Sequence, residues 1–310
     1  MTYDLIIIGG GPAGAAAGVY AARKKINTLL LTVDFGGQSQ VSPEIHNWIG
    51  DQSISGNALA KKLAAHVRQY ESDTFVIKTG TSGQVTTVSK TDTGFTVTTK
   101  SGDSFTTKTV LNVAGSNRRQ LDVPGAVEFD QKGLTYCASC DGPFFTDKDV
   151  VVVGGGNAGF ESAAQLLAYT KSVTLLHRGP TFKADKITTD KVLAHPNMTA
   201  LKNVTPTAVE GDKFVTSLKY KKNDSGEEIT LKTDGIFVEI GFIPNTKFLT
   251  GLVDTNEYGA IKIDHKTQQT NIEGIWAAGD CTDALYHQNN IAAGDAVKAI
   301  EDIYNYLHLK

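Results

Sequence analysis

Cys137 and Cys140 enclose Ala138 and Ser139, and Asp141 follows at once. Two thiols three positions apart can close into a disulfide and reopen, exchanging two electrons, and an adjacent carboxyl can move the proton that thiol chemistry requires. Three readings of the pair compete: a redox dithiol, half of a metal site, or two buried inert thiols. Zinc needs further ligands, and the chain has only one other cysteine, Cys281, with no second Cys-x-x-Cys and no His-x-x-x-His. The redox reading is therefore preferred, with Asp141 as its acid or as a cap on the next turn. Cys281 has no spaced partner and reads as an inert packed thiol at a helix start beside Asp280.

The dithiol stands between two copies of one pattern, Leu5-Ile6-Ile7-Ile8-Gly9-Gly10-Gly11-Pro12-Ala13-Gly14 and Val150-Val151-Val152-Val153-Gly154-Gly155-Gly156-Asn157-Ala158-Gly159. Apolar runs without alternation predict strands buried on both faces over 3–8 and 150–153. Helices are expected over 14–22 and 158–169, and second strands over 27–33 and 172–177. In such a βαβ unit the first glycine serves a tight turn, the second lets a pyrophosphate approach the backbone, and the third lets the helix pack on the sheet. The phosphate then meets free N–H groups at the helix N-terminus.

Alternating Thr- and Val-rich sequence over 75–113 predicts a β-meander, and 216–220 with 228–232 around Asn223-Asp224-Ser225-Gly226 predicts a second one. A short strand near Ile275 and a helix over 290–307 complete the pattern. The expected fold class is α/β, with two Rossmann-like three-layer dinucleotide-binding domains that each carry a small meander. The second, 118–244, holds the dithiol and is inserted in the first, made of 1–117 and 245–310. Thirty basic and 33 acidic residues give a net charge of −3, with no basic run to follow a nucleic acid. No apolar run approaches the ~20 residues that cross a bilayer, and the absence of a basic, apolar leader predicts a cytoplasmic protein with no membrane partner.

Taken together, Gly9 to Gly14, Gly36-Gly37-Gln38, Glu44-Ile45-His46-Asn47-Trp48, Cys137 to Phe144, Gly154 to Glu161 and Ala277-Ala278-Gly279-Asp280 make the chain resemble the low-molecular-weight thioredoxin reductases. The resemblance is closer still to the reductase core of the alkyl hydroperoxide reductase flavoprotein subunit. It extends over essentially the whole chain, and the lack of an N-terminal thioredoxin-like repeat suggests a stand-alone reductase. The resemblance implies FAD on an outer domain and NAD(P)H on an inserted one. It also implies a homodimer, rotation of the inserted domain about hinges near 115–124 and 241–246, and a thioredoxin-like or glutaredoxin-like protein as the disulfide partner.

Residue by residue, the resemblance implies that Gly9, Gly11, Pro12, Ala13 and Gly14 hold the FAD pyrophosphate. Gly36, Gly37 and Gln38 belong to the flavin-proximal loop, with Asn47 a further contact. Gly279 and Asp280 bind the ribityl chain, Asp280 doubling as a helix N-cap, and Gln288 lies near a helix start facing the pyrimidine end of the ring. Val33 stands where the peroxide-reductase likeness has glutamate, so Asp34 either takes the ribose or is a solvated loop acid. Ala114-Gly115-Ser116 departs from the usual Ala-Thr-Gly and leaves Ala114 as the local contact. Gly154, Gly156, Asn157, Ala158, Gly159 and Glu161 hold the nicotinamide dinucleotide. His177, Arg178 and Lys183 replace a run richer in arginine that grips a 2′-phosphate, and they lean to NADPH over NADH. Cys140 exchanges electrons with the flavin and Cys137 with the partner. Two alternatives stay open: a dithiol oxidase or ferredoxin-fed reductase with a degraded nicotinamide site, and a nucleotide-binding sensor without turnover.

Overall fold

The structure, a computed structural model, describes residues 2–42 and 44–309. The chain divides into two compact units. One gathers the chain up to Asn117 with the chain from Ile243 onward, and the other is Arg118–Phe242.

The first unit opens with β1 (Thr2–Ile8), α1 (Pro12–Arg23), β2 (Thr28–Leu31), α2 (Gly56–Arg68) and β3 (Phe75–Lys78). Then follow β4 (Val85–Thr91), β5 (Gly94–Thr99) and β6 (Ser104–Asn112). Their sheet runs β3-β2-β1-β6-β5-β4. The alternating stretch from Phe75 is thus not one meander. Its first strand, β3, departs to pair parallel with β2, from Thr28↔Phe75 to Leu31↔Lys78, and only β4, β5 and β6 run antiparallel. Residues 75–78 form the far edge of that sheet, paired on one side only, with β2.

A short strand, β7 (Ser116–Arg118), leads into the second unit. That unit contains β8 (Leu134–Thr135), α3 (Ala138–Asp141), β9 (Asp149–Val153), α4 (Asn157–Leu166), β10 (Ser172–Leu176), α5 (Lys186–Leu193) and β11 (Met198–Leu201). After them come β12 (Val204–Gly211), β13 (Val215–Lys222), β14 (Glu228–Lys232) and β15 (Gly235–Val238). A parallel sheet in the order β11-β10-β9-β15-β8 carries the antiparallel β12-β13-β14. The chain leaves through β16 (Phe242–Pro244), which pairs with β7. It then adds β17 (Ile275–Ala277) to β6 and ends in α6 (Asn289–Leu309).

The unalternating strands follow from cover on both faces. In β9, Val150 and Val152 pack with Phe160, Ala163, Leu166 and Phe237 on the helix side, while Val151 and Val153 join Leu134, Val209, Leu218 and Ile236 on the other. In β1, Leu5 and Ile7 meet α1 and α6, and Ile6 and Ile8 meet Val97, Ile261 and Ile275. Both units are three-layered, as expected from the sequence. Trp276, fully buried on the α6 side, donates its indole N–H to Asp302 Oδ2 at 2.9 Å and meets Tyr306 edge-on at 5.4 Å.

Helix α1 lies on its strand turn with no room for a side chain between them. A Cβ on Gly14 would stand 2.0 Å from Gly9 O. Replacing Gly14 by alanine is expected to lower stability by about 1–3 kcal/mol, read as a drop in the thermal midpoint. Gly11→Ala, whose Cβ would meet only Gly37 Cα at 3.9 Å, should leave the midpoint unchanged.

Candidate functional site

In the first unit β1 ends at Gly9, whose φ of +127° and 2.3 Å approach to Val113 O exclude any side chain. The N-cap of α1 is Gly11, with no side chain capping it and Pro12 following. The first amides of the helix therefore point outward, carrying partial positive charge into open space beside Gly11. Ala13 is buried and lies beside Gly279, whose Cβ would come within 3.6 Å of it and 3.1 Å of Ala292 Cβ. Asp34 is exposed, and its carbonyl accepts from Thr32 Oγ1 at 2.5 Å while lying against Gly10. Gly36 N donates to Gly10 O at 2.9 Å, which holds the Gly36-Gly37 loop over the turn.

Around the start of α6 the structure gathers polar side chains from distant sequence. Asn47 Nδ2 donates to Gln288 Oε1 at 3.1 Å, Asn290 Nδ2 to Asn47 O at 2.7 Å, and Ser39 Oγ to Asn289 Oδ1 at 3.0 Å. Gln38 Nε2 donates to Ser116 Oγ at 3.1 Å, and Ala114 O accepts from Asn245 Nδ2 at 2.9 Å. Asp280 is not a helix cap, since α6 begins only at Asn289. It sits in an irregular turn with Oδ1 3.4 Å from His287 Nδ1. For the same reason Cys281 is at no helix start. It is fully buried, 3.4 Å from Ala278 O, and desolvation pushes its thiol up to about 12, which makes it inert as expected. Asn112, buried at the end of β6, leaves its Nδ2 without a hydrogen-bond partner.

The second unit repeats the turn. Gly154 has φ +133° and lies against Glu239 O, and a Cβ on Gly159 would stand 2.0 Å from Gly154 O. Gly156 caps α4 without a side-chain bond and has nothing within 4 Å of where its Cβ would be. Asn157 Oδ1 accepts from Asp185 N at 2.8 Å, and Ala158 follows in the first turn. Glu161 is exposed at the fifth helix position. His177 follows β10 directly, buried against Gly155, with Nε2 2.8 Å from Thr181 O. Burial first, then Lys183, Arg178 and Lys202, hold its pKa below the usual imidazole value. Lys202, missed in the sequence because it lies beyond the next strand, has Nζ 4.5 Å over the Phe182 ring. Three cations therefore bear on His177 just past the end of β10.

Cys137 and Cys140 are joined as a disulfide, Cα atoms 5.3 Å apart. Cys137 Sγ accepts from Cys140 N at 3.2 Å, a contact that favours negative charge on that sulfur. Thr135, the last residue of β8, donates its hydroxyl to Asp141 Oδ2 and accepts from Cys137 N at 3.4 Å. Burial raises the Asp141 pKa above the ordinary carboxyl value, against the lowering pull of Thr135 and then Arg118. Arg118 donates to Tyr136 O.

Glu239 is the functional candidate that sequence reading passed over. It follows β15 directly, inside the apolar run Gly235-Ile236-Phe237-Val238-Glu239-Ile240-Gly241, and that lone acid was the signal. Its Oε1 accepts from Ser162 Oγ at 2.8 Å, and desolvation lifts it from 4.5 to about 7. Among the described residues no cluster of His, Cys, Asp or Glu could hold a metal, and no helix is long and apolar enough to cross a membrane.

The family of pyridine nucleotide-disulphide oxidoreductases matches residues 3–300. The thioredoxin reductase of Streptococcus pyogenes superposes with a TM-score of 0.89 at 31% identity, covering 100% of this chain and 99% of that one. Thioredoxin reductase from Giardia duodenalis gives 0.91 at 30%, covering 99% of each. The matching subunit of alkyl hydroperoxide reductase in Escherichia coli is 40% identical over 306 residues, which are 98% of this chain and 58% of that protein. The chain thus spans under two thirds of the length of this curated relative.

Because Glu239 is more acidic unfolded than folded, its neutral form favours the fold. That contribution is whole below pH 4.5 and is lost as the pH rises through about 7. Glu239→Gln escapes the loss, so its unfolding free energy relative to the native protein should climb by about 2–3 kcal/mol between pH 5 and pH 8 in denaturant titrations.

Proposed function

The chain belongs to the pyridine nucleotide-disulphide oxidoreductase family, and from that premise we propose that it is a flavoprotein disulfide reductase. FAD would lie on the Gly9–Gly14 turn and a nicotinamide dinucleotide, NADPH in preference to NADH, on the Gly154–Gly159 turn. The substrate would be the disulfide of a small thioredoxin-like or glutaredoxin-like protein. The observation that carries the reading is the combination of two uncapped glycine cradles and a cysteine pair beside a half-buried acid in one chain.

Open space at Gly11 and Gly156, where a methyl would meet little or nothing, fits a pyrophosphate at each turn. Bound there, the two cofactors would supply the hydride chemistry that no side chain offers. On the protein's side, a Cys137 thiolate, stabilised by the Cys140 N–H, attacks one sulfur of the partner disulfide. The partner's other sulfur leaves as a thiolate, and a mixed disulfide with Cys137 remains. Cys140 then attacks Cys137 Sγ, which restores the Cys137–Cys140 bond and frees the second partner sulfur. The partner has gained two electrons and the cysteine pair has lost them. The partner's thiolates need two protons, and Asp141, kept protonated to higher pH by burial, can hold one of them at its carboxyl. Thr135 fixes that carboxyl relative to the Cys137 backbone.

The preference for NADPH is supported by Arg178, Lys183 and Lys202, all close enough to depress His177. They would meet a dianionic 2′-phosphate with charge-assisted bonds. Removing any one cation should raise KM for NADPH by roughly tenfold, the loss expected of one hydrogen bond to a charged group. KM for NADH should not move. An unchanged ratio would remove the preference.

The reading itself is tested by anaerobic titration of the FAD-loaded protein with NADPH. Loss of the yellow absorbance is expected, with reduction of a thioredoxin disulfide when one is added. Cys140→Ser should still lose its colour but reduce no disulfide. A protein that takes up no flavin, or a flavin that neither NADPH nor NADH bleaches, would overturn it.

A further inference from the structure

Glu239 has no part in the chemistry above, yet it occupies the place in the second unit where a ligand's far end would arrive. The strand order β11-β10-β9-β15-β8 reverses direction between β9 and β15. In doubly wound sheets a dinucleotide lies across the carboxyl ends of the strands at that reversal, its pyrophosphate at the N-terminus of the helix that follows the central strand, here α4 after β9. The adenosine half belongs on the β10 side, where His177, Arg178, Lys183 and Lys202 cluster. The other half must then cross toward β15, and Glu239 is the first residue past its end. Glu239 N donates to Val153 O at 2.8 Å, and its carbonyl lies against Gly154. Ser162 Oγ, on the second turn of α4, donates to Oε1 at 2.8 Å and so holds the carboxyl against that helix.

We propose that Glu239 contacts the nicotinamide end of the bound dinucleotide, and that the charge on its carboxyl sets the protein's preference between the oxidised and the reduced ring. This rests on the assignment of a nicotinamide dinucleotide to the Gly154–Gly159 turn.

The argument is electrostatic. The oxidised pyridinium ring carries a full positive charge and the dihydro ring none. A carboxylate beside the ring in a poorly hydrated crevice attracts the first and gains little from the second. The protonated carboxyl is a neutral donor and acceptor, suited to the carboxamide of either form. Both states lie within reach at neutral pH, because desolvation has lifted the group to about 7. The groups that bear on it are few. Ser162 on α4 and Arg118 on β7 pull it down, and Glu161 on α4 pushes it up. Asp141 on α3 feels the same Arg118. Strand β9 presents Val153 and then Gly154, neither of which titrates. A rise in pH therefore holds the oxidised dinucleotide, and a fall releases it.

The test is calorimetric titration of the FAD-loaded protein from pH 6 to pH 8 with NADP+ and NAD+. The 1,4,5,6-tetrahydro analogue of whichever binds is titrated in parallel, since its ring is neutral and passes no hydride. Affinity for the oxidised form relative to the analogue should rise with pH by up to about tenfold, the limit for one carboxyl titrating at the centre of that range. Glu239→Gln should flatten the profile. Ser162→Ala, which removes a bond favouring the charged form, should move its midpoint to higher pH while leaving its height. A ratio equal at pH 6 and pH 8 in the native protein, or a profile that survives Glu239→Gln, would overturn the inference while leaving the dinucleotide site intact. Failure of every nicotinamide compound to bind at any pH would overturn the site and this inference together.

Discussion

Both candidate cofactor turns depend on one steric condition, the seating of a helix backbone directly on the strand turn before it. Where Gly14 crosses Gly9 and Gly159 crosses Gly154, the carbonyl stands 2.0 Å from the place a Cβ would take. Only glycine permits that approach, and the approach sets the rest. It brings the helix start level with the carboxyl edge of the sheet, where Gly11 and Gly156 cap without side chains and leave the first amides open. Those amides carry the positive end of the helix dipole, so each turn is prepared for an anion before any charged side chain is counted. The apolar strands β1 and β9, covered on both faces, keep the turns from yielding.

In the second unit the same burial that supports the turn also shapes two acids. Asp141 and Glu239 both have raised pKa values with desolvation as the first cause, each has one hydroxyl donor, Thr135 or Ser162, and both feel Arg118. Their exposed counterparts behave oppositely. Asp149, bonded to Lys171 and Ser172, and Asp185, capping α5, are lowered by their partners and serve only to hold structure. A proton-holding group thus stands beside the sulfurs and another beside the turn, and burial rather than residue type separates them from the rest.

Much of this was legible in the residue order. Paired strand, glycine turn and small-residue helix are local features, and so is Cys-x-x-Cys-Asp, because three-residue spacing brings its sulfurs together whatever surrounds them. Other readings failed where local pattern meets a distant partner. Phe75–Lys78 adjoins the alternating meander strands in sequence, yet pairs parallel with β2. Asp280 has the type of a helix cap, but the helix waits until Asn289 while the chain turns through His287. Lys202 joins the cations at His177 only because β11 returns parallel to β10, from Val173↔Met198 to Leu176↔Leu201.

From its order alone the chain determines the two strand-turn-helix units, the dithiol and the class of chemistry they admit, since each rests on contacts within a few residues. Tertiary structure decided which acids hold their proton to higher pH than usual, because desolvation of Asp141 and Glu239 comes from packing by residues far along the chain. It likewise decided that Asn47, Gln288 and Asn290 share one hydrogen-bonded cluster, since side chains more than two hundred positions apart meet only once the sheet and α6 have closed on each other.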